Sequence, residues 1–208
     1  KAILHAQQKL FLANSLISTT PLKDTTPEAL EAATQTLFRG YIAPQVIRYP
    51  NDPQPEDAYA EIKAWLDSKE QNTLLLLGDS GAGKTLFNQW LTLELFARRF
   101  QGEPVPIPLF IPLLAQSSPK NELMVNYFQK TLLLQREEIN WLEQQPLLII
   151  LEGFDELHER TNLSLSNKLW HYNAKVLISC RSQALATLKD YKTYFVPYNA
   201  KSEPEPQQ

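Results

Sequence analysis

The stretch from Thr73 to Leu86, TLLLLGDSGAGKTL, constrains this chain more than any other. It carries G-x-x-x-x-G-K-[ST] in register, with Gly78, Gly83, Lys84 and Thr85 at the fixed positions. Leu74 to Leu77 form an unbroken apolar run that stops at glycine, which predicts a strand buried on both faces. Gly81 and Gly83 let the backbone turn tightly, so that successive N–H groups converge on an anion. The helix that begins near Gly83 adds the positive end of its dipole. The candidate phosphate cradle is therefore Gly78, Asp79, Ser80, Gly81, Ala82, Gly83, Lys84, Thr85 and Leu86. Lys84 supplies a point charge for the outer phosphates and the Thr85 hydroxyl a ligand for magnesium.

A second stretch supplies what a phosphate loop needs beside it. Pro146 to Leu157, PLLIILEGFDEL, is an apolar run ending in Glu152, Asp155 and Glu156. Acids at the carboxyl end of a buried strand stand at the crevice where open parallel sheets bind ligands. Glu152 is the candidate magnesium ligand with Thr85, and Asp155 or Glu156 the group that orients or deprotonates an attacking water. Gly153 leaves room beside the metal. A third apolar run, Val176 to Ser179, ends in Cys180 and Arg181, and an arginine there reaches across the same crevice toward a terminal phosphate. Cys180 reads as a small buried hydrophobe.

The rest of the chain frames these stretches. Lys1 to Ser18 and Thr26 to Gly40 have helical patterns, and Tyr41 to Pro55, with four prolines, reads as an extended connector. Asp57 caps a helix running to Ser68, with Ile62, Trp65 and Leu66 on one side. The helix after the loop runs to about Phe100, with Leu86, Trp90, Leu93 and Phe96 or Ala97 as its inner stripe and Arg98 and Arg99 as a solvated end. Val105 to Leu114 has strand composition, but Pro106, Pro108 and Pro112 assign it to a sheet edge. Helices are expected over Asn121 to Gln135 and Glu137 to Gln144, a short one over Gln183 to Lys189, and a last strand over Tyr194 to Val196. Asn167-Lys168 resembles the start of a guanine-reading N-K-x-D element, but Trp170 occupies the aspartate position, which disfavours GTP.

Composition narrows the setting. The 208 residues, 43% hydrophobic, suffice for one main domain, and a formal charge of -3 gives no reason to expect nucleic acid as a partner. The one cysteine excludes an internal disulfide and suits a reducing compartment. No apolar run approaches the ~20 residues of a membrane span. A start at Lys1 predicts a segment of a longer, cytoplasmic protein.

Together GDSGAGKT at Gly78 to Thr85, LLIILEGFDEL at Leu147 to Leu157 and KVLISCRSQ at Lys175 to Gln183 resemble the NACHT group of STAND-class signal-transduction P-loop NTPases, over about Tyr41 to Pro197. The resemblance implies a three-layer α/β/α domain with a parallel sheet of order 5-1-4-3-2, spanning 73–198. An N-terminal helical segment (1–40), a linker with a lead-in helix (41–72) and a mobile tail (199–208) would flank it. It implies ATP or ADP with Mg2+ as ligands, and a weak ATPase acting as a switch for self-association and signalling. Protein partners would bind through regions outside this chain, in the cytoplasm or, for a secreted bacterial effector, in the host cytosol. In it Gly153, Asp155 and Glu156 match the small residue and acidic pair after the first acid, and Arg181 matches the sensor arginine. The first acid of the family is normally aspartate, and Glu152 is one methylene longer, which implies slow hydrolysis. The family's helical and winged-helix lids would follow this chain's end. A continuously cycling ATPase and a nucleotide-binding scaffold without turnover are the alternatives.

Overall fold

A computed structural model describes residues 38–39, 41–42, 44–48, 54–69, 72–186, 189–199, 201 and 203–204. The helix expected over 1–18 and most of the one expected over 26–40 lie outside the described residues, as does most of the tail; Phe38 and Arg39 form a turn. Within the connector expected over Tyr41 to Pro55, Gln45–Val46 (β1) pairs antiparallel with Glu56–Asp57 (β2) just beyond it. Ala58–Asp67 (α1) follows, and the Asp57 carboxylate caps it by accepting from the Ala60 N–H at 2.8 Å.

The sheet that organises the domain has four strands. Thr73–Gly78 (β3), Ile107–Pro112 (β4), Leu147–Glu152 (β5) and Ala174–Arg181 (β6) are all parallel in the spatial order β3-β6-β5-β4. This is the 1-4-3-2 part of the expected order, with the arginine-bearing strand between the other two site strands. The expected strand at Tyr194 to Val196 is not formed; Tyr191–Tyr194 is a 3-10 turn instead. Its short polar-aromatic run, YKTYFV, lacks the length of apolar residues that a covered parallel strand buries. Among the described residues β3 therefore pairs on one side alone, and its leucines are half-buried rather than buried, with Leu77 43% exposed.

Alternation along the strands builds a core on each face. Leu148, Ile150 and Leu177 pack with Ile62 and Trp65 of α1 and with Phe87, Leu91 and Leu95 of Lys84–Phe100 (α2). Ile149, Leu151, Ile178 and Cys180 pack on the opposite face beneath Leu123–Asn126 (α3), Arg136–Glu143 (α4) and Leu163–Ser166 (α5). A short helix, Ser182–Ala186 (α6), follows β6. Two expectations for the helices change. The inner stripe of α2 is rotated by a residue: Phe87, Asn88, Leu91 and Thr92 are buried with Leu93 and Phe96, whereas Leu86 is 46% exposed. The helix expected over Asn121 to Gln135 opens into a π-helical turn at Tyr127–Thr131 and stops before Leu133, whose φ of 52° is left-handed.

The proline strand explains its own edge. The Ile107 N–H donates to the Pro146 carbonyl at 2.9 Å, so odd-numbered residues of β4 direct their backbone groups at β5. Pro106, Pro108 and Pro112 are even-numbered, and their missing N–H groups fall on the open side. On that side the Tyr127 hydroxyl donates to the Phe110 carbonyl at 2.9 Å.

Candidate functional site

The register of the sheet sets three strand ends side by side. Gly78 at the end of β3 pairs with Arg181 at the end of β6, and Glu152 ends the strand on the other side of β6. A cleft of about 300 Å³ opens above them, lined by Ser80 to Leu86 from the loop and by Glu152, Gly153, Asp155, Glu156, Ser179 and Arg181. Gly78 and Asp79 lie behind the lining and contribute carbonyls. Lys84 Nζ donates to these carbonyls at 2.6 and 3.1 Å, which spans the loop and leaves one of its three donors for an anion.

The loop has the local form that anion binding requires. Gly81 and Gly83 sit at φ of 81° and 82°, and no atom comes within 4 Å of where a Cβ would stand on either. Gly83 ends the turn as the N-cap of α2, and the N–H groups of Gly81, Gly83, Lys84 and Thr85 have no partner among the described residues. Unpaired N–H groups at the start of a 17-residue helix form a positive concavity.

Opposite the loop lie the candidate metal ligands. The Thr85 hydroxyl donates to Glu152 Oε1 at 2.5 Å, so the two candidate metal ligands meet across 67 residues of sequence. Glu152 Oε2 accepts from Asn88 Nδ2 at 2.5 Å and from Ser179 Oγ at 2.6 Å, and Ser179 Oγ in turn accepts from the Gly153 N–H at 3.1 Å. Asn88 and Ser179 are fully buried, and neither was singled out from the sequence. Their signals were present: Asn88 stands one helical turn after Thr85, and Ser179 is a polar residue inside an apolar strand. Asn88 Oδ1 is a buried acceptor without a hydrogen-bond partner among the described residues. A hydroxyl and a carboxylate are hard oxygen donors of the kind magnesium and its waters take. The residues present thus fit a phosphate-bound divalent cation.

The remaining acids and the arginine form one unit. Gly153, at φ 81°, starts a 3-10 turn over Phe154–Glu156, and the Glu156 N–H closes it on the Gly153 carbonyl at 3.0 Å. Phe154 is fully buried against Phe195, with ring centroids 4.8 Å apart, and this anchors the turn. Asp155 receives Arg181 twice: the backbone N–H donates to Oδ1 at 2.9 Å, and Nε lies 3.1 Å from Oδ2. Arg181 NH2 also stands 3.5 Å from Glu156 Oε1. Asp155, Glu156 and Arg181 are thus brought together, with the arginine about half exposed to the cleft.

Other residues weighed from the sequence have structural partners. Asn167 accepts from the Leu123 N–H at 2.8 Å and donates to the Pro119 carbonyl at 3.0 Å, so it fastens α3 and is not free to read a base. Arg98 binds Glu103 and the Tyr59 hydroxyl, and Arg99 binds the Val105 carbonyl; the pair is engaged rather than solvated. Cys180 is buried, and burial pushes its thiol up to about 11.

Comparison with known proteins agrees with this geometry. Over 162 residues the chain is 26% identical to an uncharacterised WD repeat-containing protein of Nostoc sp. strain PCC 7120, a match covering 70% of this chain and 10% of that protein. The chain thus spans about a tenth of that relative's length. The model of the NACHT domain matches residues 72–195, which hold the phosphate loop, the acidic turn and the arginine strand together. The chain belongs to the NACHT domain family, a STAND-class group of P-loop nucleotide-binding NTPases.

Proposed function

We propose that this domain binds ATP with Mg2+, hydrolyses it slowly, and uses the difference between its ATP and ADP states to control self-association and signalling. The backbone from Gly78 to Leu86 and the Lys84 ammonium hold the phosphates. Thr85 and Glu152 hold the cation, which supplies charge neutralisation between the outer phosphates. Asp155 or Glu156 positions the attacking water, and Arg181 contacts the terminal phosphate.

The observation that carries the switch is the tie between Arg181 and the two acids. A guanidinium that reaches a terminal phosphate from this position divides its donors between the phosphate and these acids. Its partners therefore differ between the triphosphate and diphosphate states. Asp155 and Glu156 lie within the turn that Phe154 anchors, so a change in the partners of Arg181 acts directly on that turn. Glu152, longer than an aspartate and pinned by three donors, favours slow turnover. Adenine is favoured because the N-K-x-D position holds Trp170 and Asn167 is occupied elsewhere. We assign the domain to the cytoplasm, or to a host cytosol for a secreted bacterial effector, with protein partners bound through other parts of the full-length protein.

Binding of ATP, ADP and GTP with magnesium, combined with sedimentation, tests this. Lys84→Ala should weaken adenine-nucleotide binding roughly 10- to 100-fold, the worth of a charge-assisted contact. The sedimentation coefficient should differ between ATP and ADP. Identical sedimentation in both would sink the switch, and rapid steady turnover by the wild type would favour a continuously working ATPase.

A further inference from the structure

We propose that Asn88 and Ser179 are positioning residues that hold Glu152 by one carboxylate oxygen so that the other faces the cation. The inference rests on the nucleotide-binding reading above and goes beyond it by assigning the support on which metal binding depends.

A carboxylate offers about two acceptor sites per oxygen. Oε2 of Glu152 uses both, one for Asn88 Nδ2 and one for Ser179 Oγ, and Oε1 uses one, for the Thr85 hydroxyl. Oε2 is therefore the anchor, and Oε1 keeps an acceptor site next to the hydroxyl that shares the metal. The assignment of the Asn88 amide follows from its partner, because a carboxylate only accepts. Both anchoring side chains are fully buried, on elements that cannot easily move: α2 directly behind the phosphate loop, and β6 at the centre of the sheet.

This anchoring answers a problem that glutamate creates. Its extra methylene adds a rotatable bond, and an unpinned carboxylate on that stem would present its oxygens in several places. Two donors on Oε2 remove that freedom. Asn88 Oδ1, on the same amide, is buried and has no hydrogen-bond partner among the described residues.

The test is the concentration of Mg2+ that half-saturates binding of a fluorescent ADP, measured beside binding of the same ADP in EDTA and thermal unfolding in EDTA. Asn88→Ala should raise the Mg2+ half-saturation about tenfold, as loss of a supporting contact to a metal ligand does. Binding in EDTA should stay within about twofold of wild type. Glu152→Asp alone should raise it similarly, because the shorter carboxylate falls short of Asn88. Combining Glu152→Asp with Asn88→Gln transfers the methylene from one side chain to the other and should restore the wild-type Mg2+ requirement to within about threefold. Should Asn88→Ala not fold, Ser179→Ala, which deletes one hydroxyl, should give the same shift to a smaller extent.

An unchanged Mg2+ requirement in Asn88→Ala or in the folded Ser179→Ala overturns the proposal and leaves the nucleotide-binding reading standing. So does equal weakening with and without Mg2+, or a double variant no better than Glu152→Asp. Wild-type protein that binds no ADP under either condition overturns both together.

Discussion

Gly153 carries two constraints at one position. Its φ of 81° lies in the left-handed region, and a Cβ there would stand 3.1 Å from Glu156 Oε2. Gly153→Ala should therefore lower stability by ~1–2 kcal/mol in urea denaturation, and the same variant should weaken nucleotide-dependent changes by displacing Glu156. Cys180 makes the opposite kind of prediction, one of inertness. Buried near the carboxyl end of β6, it should resist a thiol reagent in the folded protein and react on unfolding. Its folded thiol is raised to about 11 from an ordinary 9.0, so the unfolded chain releases that proton first. The stability linked to Cys180 is complete below about pH 9 and is lost as pH rises toward 11, by at most about 2–3 kcal/mol. Cys180→Ala should flatten the fall in stability between pH 8 and 10, relative to wild type. The phosphate-loop side chains were legible residue by residue because their spacing is itself the motif. Asn88 was not, since an asparagine in a helix announces nothing until the carboxylate it binds is beside it.

Strand β4 shows how an element protects itself. Prolines at three even positions remove donors from the outer edge, and the Tyr127 hydroxyl occupies the Phe110 carbonyl there. Tyr127→Phe keeps the ring but removes a buried hydroxyl-to-carbonyl hydrogen bond; a loss of about 1 kcal/mol in the free energy of unfolding by denaturant is expected. The edge position of this strand was readable from proline alone, but the tyrosine that completes it came from a helix seventeen residues away. Helix α2 was legible in extent and illegible in facing. Its apolar residues admit two neighbouring stripes, and only the sheet beneath decided for Phe87, Leu91 and Leu95 over Leu86. The π-helical turn after α3 was likewise invisible, because the helical pattern runs on through Leu132 while the backbone widens at Tyr127.

Across the molecule the site is an assembly of strand ends. None of the described helices is long and apolar enough to cross a membrane, and the four parallel strands are covered by helices on both faces. The three site strands meet through β6, which pairs with both of the others. Magnesium nucleotide should accordingly raise the melting temperature in proportion to its saturation, and Lys84→Ala should remove most of that rise. The apolar runs, the glycine loop and the acidic turn were determined by the amino-acid sequence alone, because each is contiguous and its chemistry is local. The grip on Glu152 by Thr85, Asn88 and Ser179, from 67, 64 and 27 residues away, was settled by the packed sheet. Contacts of that span depend on strand order and register, which arise from burial of whole faces and are written in no single stretch of the chain.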